Sequence, residues 1–139
     1  MAIALQLLIL KASKEDDFEP AFASIVQHKA DALVVGTNPF FTSRRGQIVA
    51  LASRYAIPAI YEWQEFVAAG GLIRYGASLT ALYRAVGVYV GKVLKGIKPS
   101  DLPIQQPTNF ELVINLKTAK ALGLNIPTGL LLRANKMIE

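Results

Sequence analysis

Ala32-Leu33-Val34-Val35-Gly36, then Thr37-Asn38-Pro39-Phe40-Phe41-Thr42, then Ile57-Pro58-Ala59-Ile60-Tyr61: this stretch decides the fold. Its two short apolar runs, each bounded by turn-forming residues, have the pattern of parallel strands buried on both faces. Pro58 falls near the start of the second run, where a missing N–H does least harm. Between them Ser43 can cap a helix bearing Ile48, Leu51, Ala52 and Tyr55 at helical spacing. Strand, helix, strand with short turns is the repeating unit of an α/β layer.

The pattern extends in both directions. Upstream, Leu5–Leu10 is another continuous apolar run, predicted as a buried strand. Ser13-Lys14-Glu15-Asp16 resembles a capping box with an acidic first turn, and the helix after it carries Phe18, Phe22, Ile25 and Val26 on one face. Downstream, a short helix over Trp63–Ala69 closes at Gly70-Gly71, and Leu72–Gly76 is predicted as a strand. Ser78 then caps the longest helix, apolar at Leu79, Leu82, Tyr83, Val86, Val90, Val93 and Leu94, with Gly96 at its end. Gly87 and Gly91 inside it are expected to let it pack closely on the sheet. Pro99–Pro107 is an extended connector, Phe110–Ile114 a strand, and Asn115 caps a helix running to Leu122 and Gly123. Thr128 is predicted to cap a last helix, Leu130–Ile138. The expected fold class is α/β, a Rossmann-like layered fold with a mainly parallel sheet, in a single domain over residues 1–139.

Composition excludes several function classes. The chain is 53% hydrophobic and 18% charged, with a mean hydropathy of +0.35, which is incompatible with disorder. With no cysteine there is no disulfide framework and no thiolate chemistry, and a single histidine, His28, removes most imidazole mechanisms. The net charge is +5. Three lysines and five acidic residues fall in residues 1–39, and the other twelve basic and five acidic residues follow. These cations are scattered rather than gathered on one face, so no nucleic-acid partner is expected. No segment approaches the ~18 consecutive apolar residues of a membrane span. The apolar opening lacks a basic n-region and a small-residue cleavage site, so as written it carries no export signal, and the chain would be cytoplasmic if expressed as written.

In open α/β sheets ligands sit beyond the carboxyl ends of the strands, so the strand-to-helix turns are the informative positions. The second and third turns offer Asn38, Phe40, Phe41, Thr42, Ser43, Tyr61, Glu62 and Trp63. Adjacent phenylalanines on a loop suggest a pocket wall, free N–H groups at the start of the Ser43 helix an anion site, and Glu62 a partner for a ligand ammonium. The plain alternative is that Phe40 and Phe41 close the end of the core and that Glu62 caps the next helix. No phosphate loop, no Gly-x-Gly-x-x-Gly and no nucleophile–base pair is present, so no enzyme activity, metal or cofactor is expected. Glu62 and Glu65, one turn apart, are read as solvated, and His28 as a surface residue at a helix end.

At this density of turns residues 17–139 resemble the C-terminal part of the ABC transporter substrate-binding protein family related to tryptophan-binding lipoproteins. The stretches that carry the likeness are Ala30–Val35, Asn38-Pro39-Phe40-Phe41, Ile57–Tyr61, Glu65-Phe66-Val67, Ala69–Leu72 and Tyr75-Gly76. They continue in Lys95-Gly96, Pro99-Ser100-Asp101-Leu102-Pro103 and Phe110–Asn115, running into Leu116–Gly123. The resemblance implies a type I periplasmic binding protein, two α/β lobes closing on a small ligand such as an amino acid, upstream of a membrane permease. It implies a periplasmic location in the full-length family. Asn38, Phe40, Phe41, Thr42, Tyr61 and Glu62 would line one cleft wall, with Tyr75 towards the hinge. Residues 1–61 and 104–139 would form the second-lobe core, and 62–103 would return to a first lobe that this sequence lacks. Two functions compete: small-solute binding by one lobe, and a non-catalytic dimeric structural or regulatory module. A homodimer is expected in either case, because the apolar face of the Ser78–Lys95 helix needs a cover.

Overall fold

The computed structural model describes residues 4–139. The two apolar runs around residues 33–61 form parallel strands, β1 (Leu33–Val34) and β2 (Ala59–Tyr61), paired Leu33 with Ala59 and Val34 with Ile60. Leu33 N–H donates to the Pro58 carbonyl at 2.9 Å and Val35 N–H to that of Ile60 at 3.0 Å. Pro58 therefore only accepts, and its missing donor costs the ladder nothing. β3 (Ile73–Ala77) runs parallel to β2, whereas β4 (Phe110–Asn115) returns antiparallel beside β3 from Ile73–Ile114 to Ala77–Phe110. β5 (Lys136–Ile138) lies parallel to β4, giving the order β1-β2-β3-β4-β5. The sheet is mainly parallel, as the sequence predicts.

Leu112 and Ile114 are buried on one face of β4, and the hydrophobic cluster built on Ala59 and Tyr61 lies on the other face of the sheet. α1 (Phe18–Gln27), α3 (Arg45–Arg54) and α4 (Gln64–Ala68) pack there, and Phe18, Phe22, Ile25, Ile48, Leu51, Ala52 and Phe66 bury against Ala59 and Tyr61. Each such apolar side chain contributes about 1.5–3 kcal/mol when fully buried. Asp17 locks the entry to α1, its carboxylate accepting from the N–H groups of Ser13 at 2.7 Å and Lys14 at 3.0 Å. The other face is thinly covered at its ends, where Val34 is 75% and Tyr75 53% exposed.

Four expectations are corrected. Leu5–Leu10 is extended but joins no strand, and Leu5 and Leu7 are more than 80% exposed. An apolar run becomes a buried strand only where a neighbouring strand and two covering layers exist, and none flanks it. Val26, expected on the buried face of α1, is exposed. α5 (Leu79–Leu94) forms where expected, capped by the Ser78 hydroxyl, yet buries no residue, and a Cβ placed on Gly87 or Gly91 would meet nothing within 4 Å. Periodicity defines an apolar face; it does not supply a partner. The predicted last helix is replaced by a single turn, α7 (Thr128–Leu131), followed by β5. Asn135 accounts for this, since its side chain accepts from Leu112 N–H and its own N–H donates to the Leu112 carbonyl, both at 2.8 Å. Those bonds draw the chain onto the edge of β4.

α6 (Leu116–Ala121) follows β4 directly, its first turn capped by the Asn115 side chain on Thr118 N–H at 3.1 Å. Within the 62–103 segment, α4 and β3 are integral to the layer, and no residue from 79 to 103, α5 included, is buried. The chain leaves β3 at Ser78 and re-enters β4 after Asn109, where Ser78 N–H donates to the Asn109 carbonyl at 2.9 Å. No described helix is long and apolar enough to cross a membrane.

Candidate functional site

Parallel pairing brings the carboxyl ends of β1, β2 and β3 to one rim, and β4, running the other way, begins there. The turn after β1 starts α2 (Pro39–Ser43), with the Asn38 side chain accepting from Phe40 N–H at 2.8 Å and Pro39 in the first helical position. Asn38 is thus a cap. This corrects the expected anion site: helix formation begins at Pro39, and Ser43 ends α2, its hydroxyl donating to the Phe40 carbonyl at 2.7 Å. The Arg44 N–H is taken up by the carbonyls of Phe40 and Phe41. Phe40 and Phe41 are half-buried and pack on Phe18, with ring centroids at 5.5 and 6.0 Å. Phe41 also lines an apolar groove of about 110 Å³ with Leu10, Phe18 and Val35.

At the end of β2, Tyr61 is only 2% exposed and its ring stacks on Phe66 at 4.7 Å. Burial pushes its phenol pKa up. Tyr61 is part of the core, and Trp63, two residues on, is the aromatic that reaches the rim. Glu62 does not cap α4, whose N-cap is Trp63 without a side-chain bond. Its backbone instead lies against β3: a Cβ on Gly76 would stand 2.7 Å from the Glu62 carbonyl oxygen and 2.9 Å from its Cγ.

Between these turns lies an open cleft of about 470 Å³ lined by Thr37, Pro39, Thr42, Ser43, Arg45, Trp63 and Glu65. Arg45 comes from the β1 side and donates to the Thr42 carbonyl at 3.0 Å, while Glu65 comes from the β2 side. The arrangement offers one cation, one carboxylate, an indole and hydroxyl groups around one opening. Of the expected site residues, Thr42 lines this cleft, and Asn38 and Phe40 shape the turn beneath it. Glu62 rests against Gly76 of β3, and Tyr75 lies on the other sheet face, stacked on Phe110 at 5.6 Å. Arg45 is not singled out by the sequence, and Glu65 is read there only as a solvated neighbour of Glu62. For Glu65 the available signal is its place in the first turn of α4, which follows β2; Arg45 opens α3, which follows α2, and carries no such signal.

A second cleft of about 330 Å³ shares Glu65 and is lined by Gln64, Ala68, Arg74, Leu79, Thr80 and Glu111. Glu111 accepts from Arg74 Nη1 at 2.7 Å, and its carboxyl is held below the usual range by a Ser78 hydrogen bond first and by Arg74 second. Among the described residues, no group of three or more His, Cys, Asp or Glu side chains is placed to hold a metal ion.

A layered lobe with a polar cleft at the strand ends is the build of a solute-binding protein domain. The family described as ABC transporter substrate binding protein matches residues 2–138, and the chain belongs to that family. Comparison with curated proteins gives no match. Among solved structures, a conserved domain protein from Vibrio cholerae O1 biovar El Tor is similar with a TM-score of 0.78 and 25% identity, over 91% of this chain and 42% of that one. An ABC domain in complex with L-Trp from Streptococcus pneumoniae is similar with a TM-score of 0.74 and 28% identity, over 87% and 42%. A ligand-free, open substrate-binding protein with adhesive properties from Clostridium difficile shares the fold, with a TM-score of 0.68 at 24% identity over 91% and 42%. The chain spans less than half the length of each.

Proposed function

We propose that this chain supplies one wall of a non-catalytic small-solute site, with an amino acid as the solute, in an ABC transport system. The observation that carries the reading is the cleft at the strand ends, where Arg45 and Glu65 flank Trp63. Arg45 suits a carboxylate, Glu65 an ammonium and the indole an apolar side chain, which together are the groups of a zwitterionic amino acid. The L-Trp complex of the Streptococcus pneumoniae relative supports the same class. Asn38, Phe40 and Thr42 build the turn under the cleft, and Glu62 fixes the position of Trp63. A membrane permease is the downstream partner and the periplasm the compartment of the full-length system. The test is calorimetry with aromatic and branched amino acids. Saturable heat is expected for at least one, and Arg45→Ala should weaken it about tenfold, or 1.4 kcal/mol. A panel without heat or melting shift removes the proposal.

A second reading, a dimeric interaction module, is favoured by α5, on which Tyr83 is 71% and Leu94 82% exposed. A second copy covering that face predicts a dimer by light scattering at micromolar concentration; a monomer refutes it.

A further inference from the structure

Arg74 is buried near the start of β3, its side chain only 3% exposed. Burying a guanidinium is costly unless every donor direction is answered, and an apolar residue of similar volume would hold a strand in place as well. Here the fork is answered in three directions. Nε donates to the Glu62 carbonyl at 3.0 Å, Nη2 to the Ala77 carbonyl at 2.8 Å and Nη1 to the Glu111 carboxylate at 2.7 Å. The first acceptor belongs to the turn that carries Trp63. The second is the last residue of β3 before the chain departs into α5, and the third stands beside the point where it returns into β4.

A second observation points the same way. Gly76 lies two residues on, on the same face of β3, and its bare Cα lets the Glu62 backbone rest directly on the strand. The turn is therefore pressed onto β3 at Gly76 and tied to it by Arg74. The neighbouring cleft shared through Glu65 opens onto this junction.

We infer that Arg74 is a positioning residue for the solute site. It ties the Glu62–Trp63 turn to the place where the chain leaves β3 and re-enters β4, so that the cleft wall and that junction move as one unit. This rests on the solute-site reading of the rim, but its first test does not need a solute. Trp63 is the sole tryptophan and reports the turn directly. Acrylamide quenching of Trp63 is measured on the folded chain for wild type, Arg74→Met, Arg74→Lys, and a control, Phe22→Leu, that weakens the core away from the turn. Arg74→Met should raise the quenching constant about twofold at temperatures well below its melting point, as expected of local opening. Arg74→Lys keeps the charge for Glu111 but cannot reach three acceptors, and should show an intermediate rise. Phe22→Leu should lower the melting temperature with quenching unchanged. If Arg74→Met does not fold, Arg74→Lys decides alone. Quenching equal to wild type in the folded Arg74 variants overturns the inference, whatever their stability. A separate titration with L-tryptophan by calorimetry should show about tenfold weaker binding for Arg74→Lys, since a site must be held to within about 0.5 Å. No heat with wild type for L-tryptophan or for any other amino acid of the panel would remove the solute reading, while the quenching result still judges the clamp.

Discussion

A methyl group at position 76 would stand 2.7 Å from the Glu62 carbonyl oxygen, and that backbone atom cannot swing aside as the neighbouring Glu62 Cγ could. Gly76→Ala should therefore cost about 1–3 kcal/mol in urea denaturation, the usual penalty for overpacking. Two carboxylates give the fold an acid limit. Asp17 is held below its ordinary value of 3.8 by the Ser13 and Lys14 N–H groups, and Glu111 below 4.5 by Ser78 and Arg74. A depressed folded-state pKa adds stability above the unfolded value, which is lost as pH falls through the folded one. Stability should thus fall between about pH 4.5 and strongly acid conditions. Asp17→Asn and Glu111→Gln should each flatten that dependence, as read from denaturation midpoints across the range. Part of this chemistry was legible in the residues themselves. Phe40 and Phe41 declare burial by their size, and the acidic start of α1 declares a cap. Arg74 declares nothing, because a lone arginine in an apolar strand becomes a buried clamp only when residues 62, 77 and 111 arrive around it.

The elements divide by how local their causes are. Strands β1 to β4 and helices α1 and α3 to α6 stand near their predicted positions because turn residues and short apolar runs bound them. Asn115 is a clear example, since the same residue ends β4 and caps α6. Asn115→Ala should cost about 1 kcal/mol, measured by thermal or urea unfolding, by leaving the Thr118 N–H without its partner. The two failures have non-local causes. Residues 130–138 carry a helical apolar spacing, yet the edge of β4 and the two Asn135 bonds capture them as a turn and a strand. Leu5–Leu10 has the composition of a strand, but strand formation depends on a neighbour that composition cannot name. The cleft was partly legible for a related reason: the strand-end rule located the rim, while Arg45 and Glu65 joined it only through the angle at which α3 and α4 leave their turns.

At the scale of the molecule, apolar surface is distributed unevenly. The cluster around Ala59 and Tyr61 lies on one face of the sheet and Leu112 and Ile114 bury on the other, while α5 buries no residue, with Val86, Val88, Val90 and Leu94 all more than 50% exposed. Polar replacement there should leave the folded layer intact. Val86→Lys with Leu94→Lys should change the unfolding free energy by no more than about 0.5 kcal/mol, as for other exposed positions, while lowering self-association in light scattering. The open side of β1 has a different consequence. Leu33 and Val35 spend their N–H groups on the β2 side, so alternation directs those of Val34 outward beside an exposed valine. Such an edge is a template on which further extended chain can add, and addition needs no unfolding. If chain adds at this edge, nucleation rather than the melting temperature should set the shelf life of the protein in concentrated solution. Fibril-dye lag times should shorten steeply with concentration, and Val34→Lys should lengthen them while the melting point stays where it was.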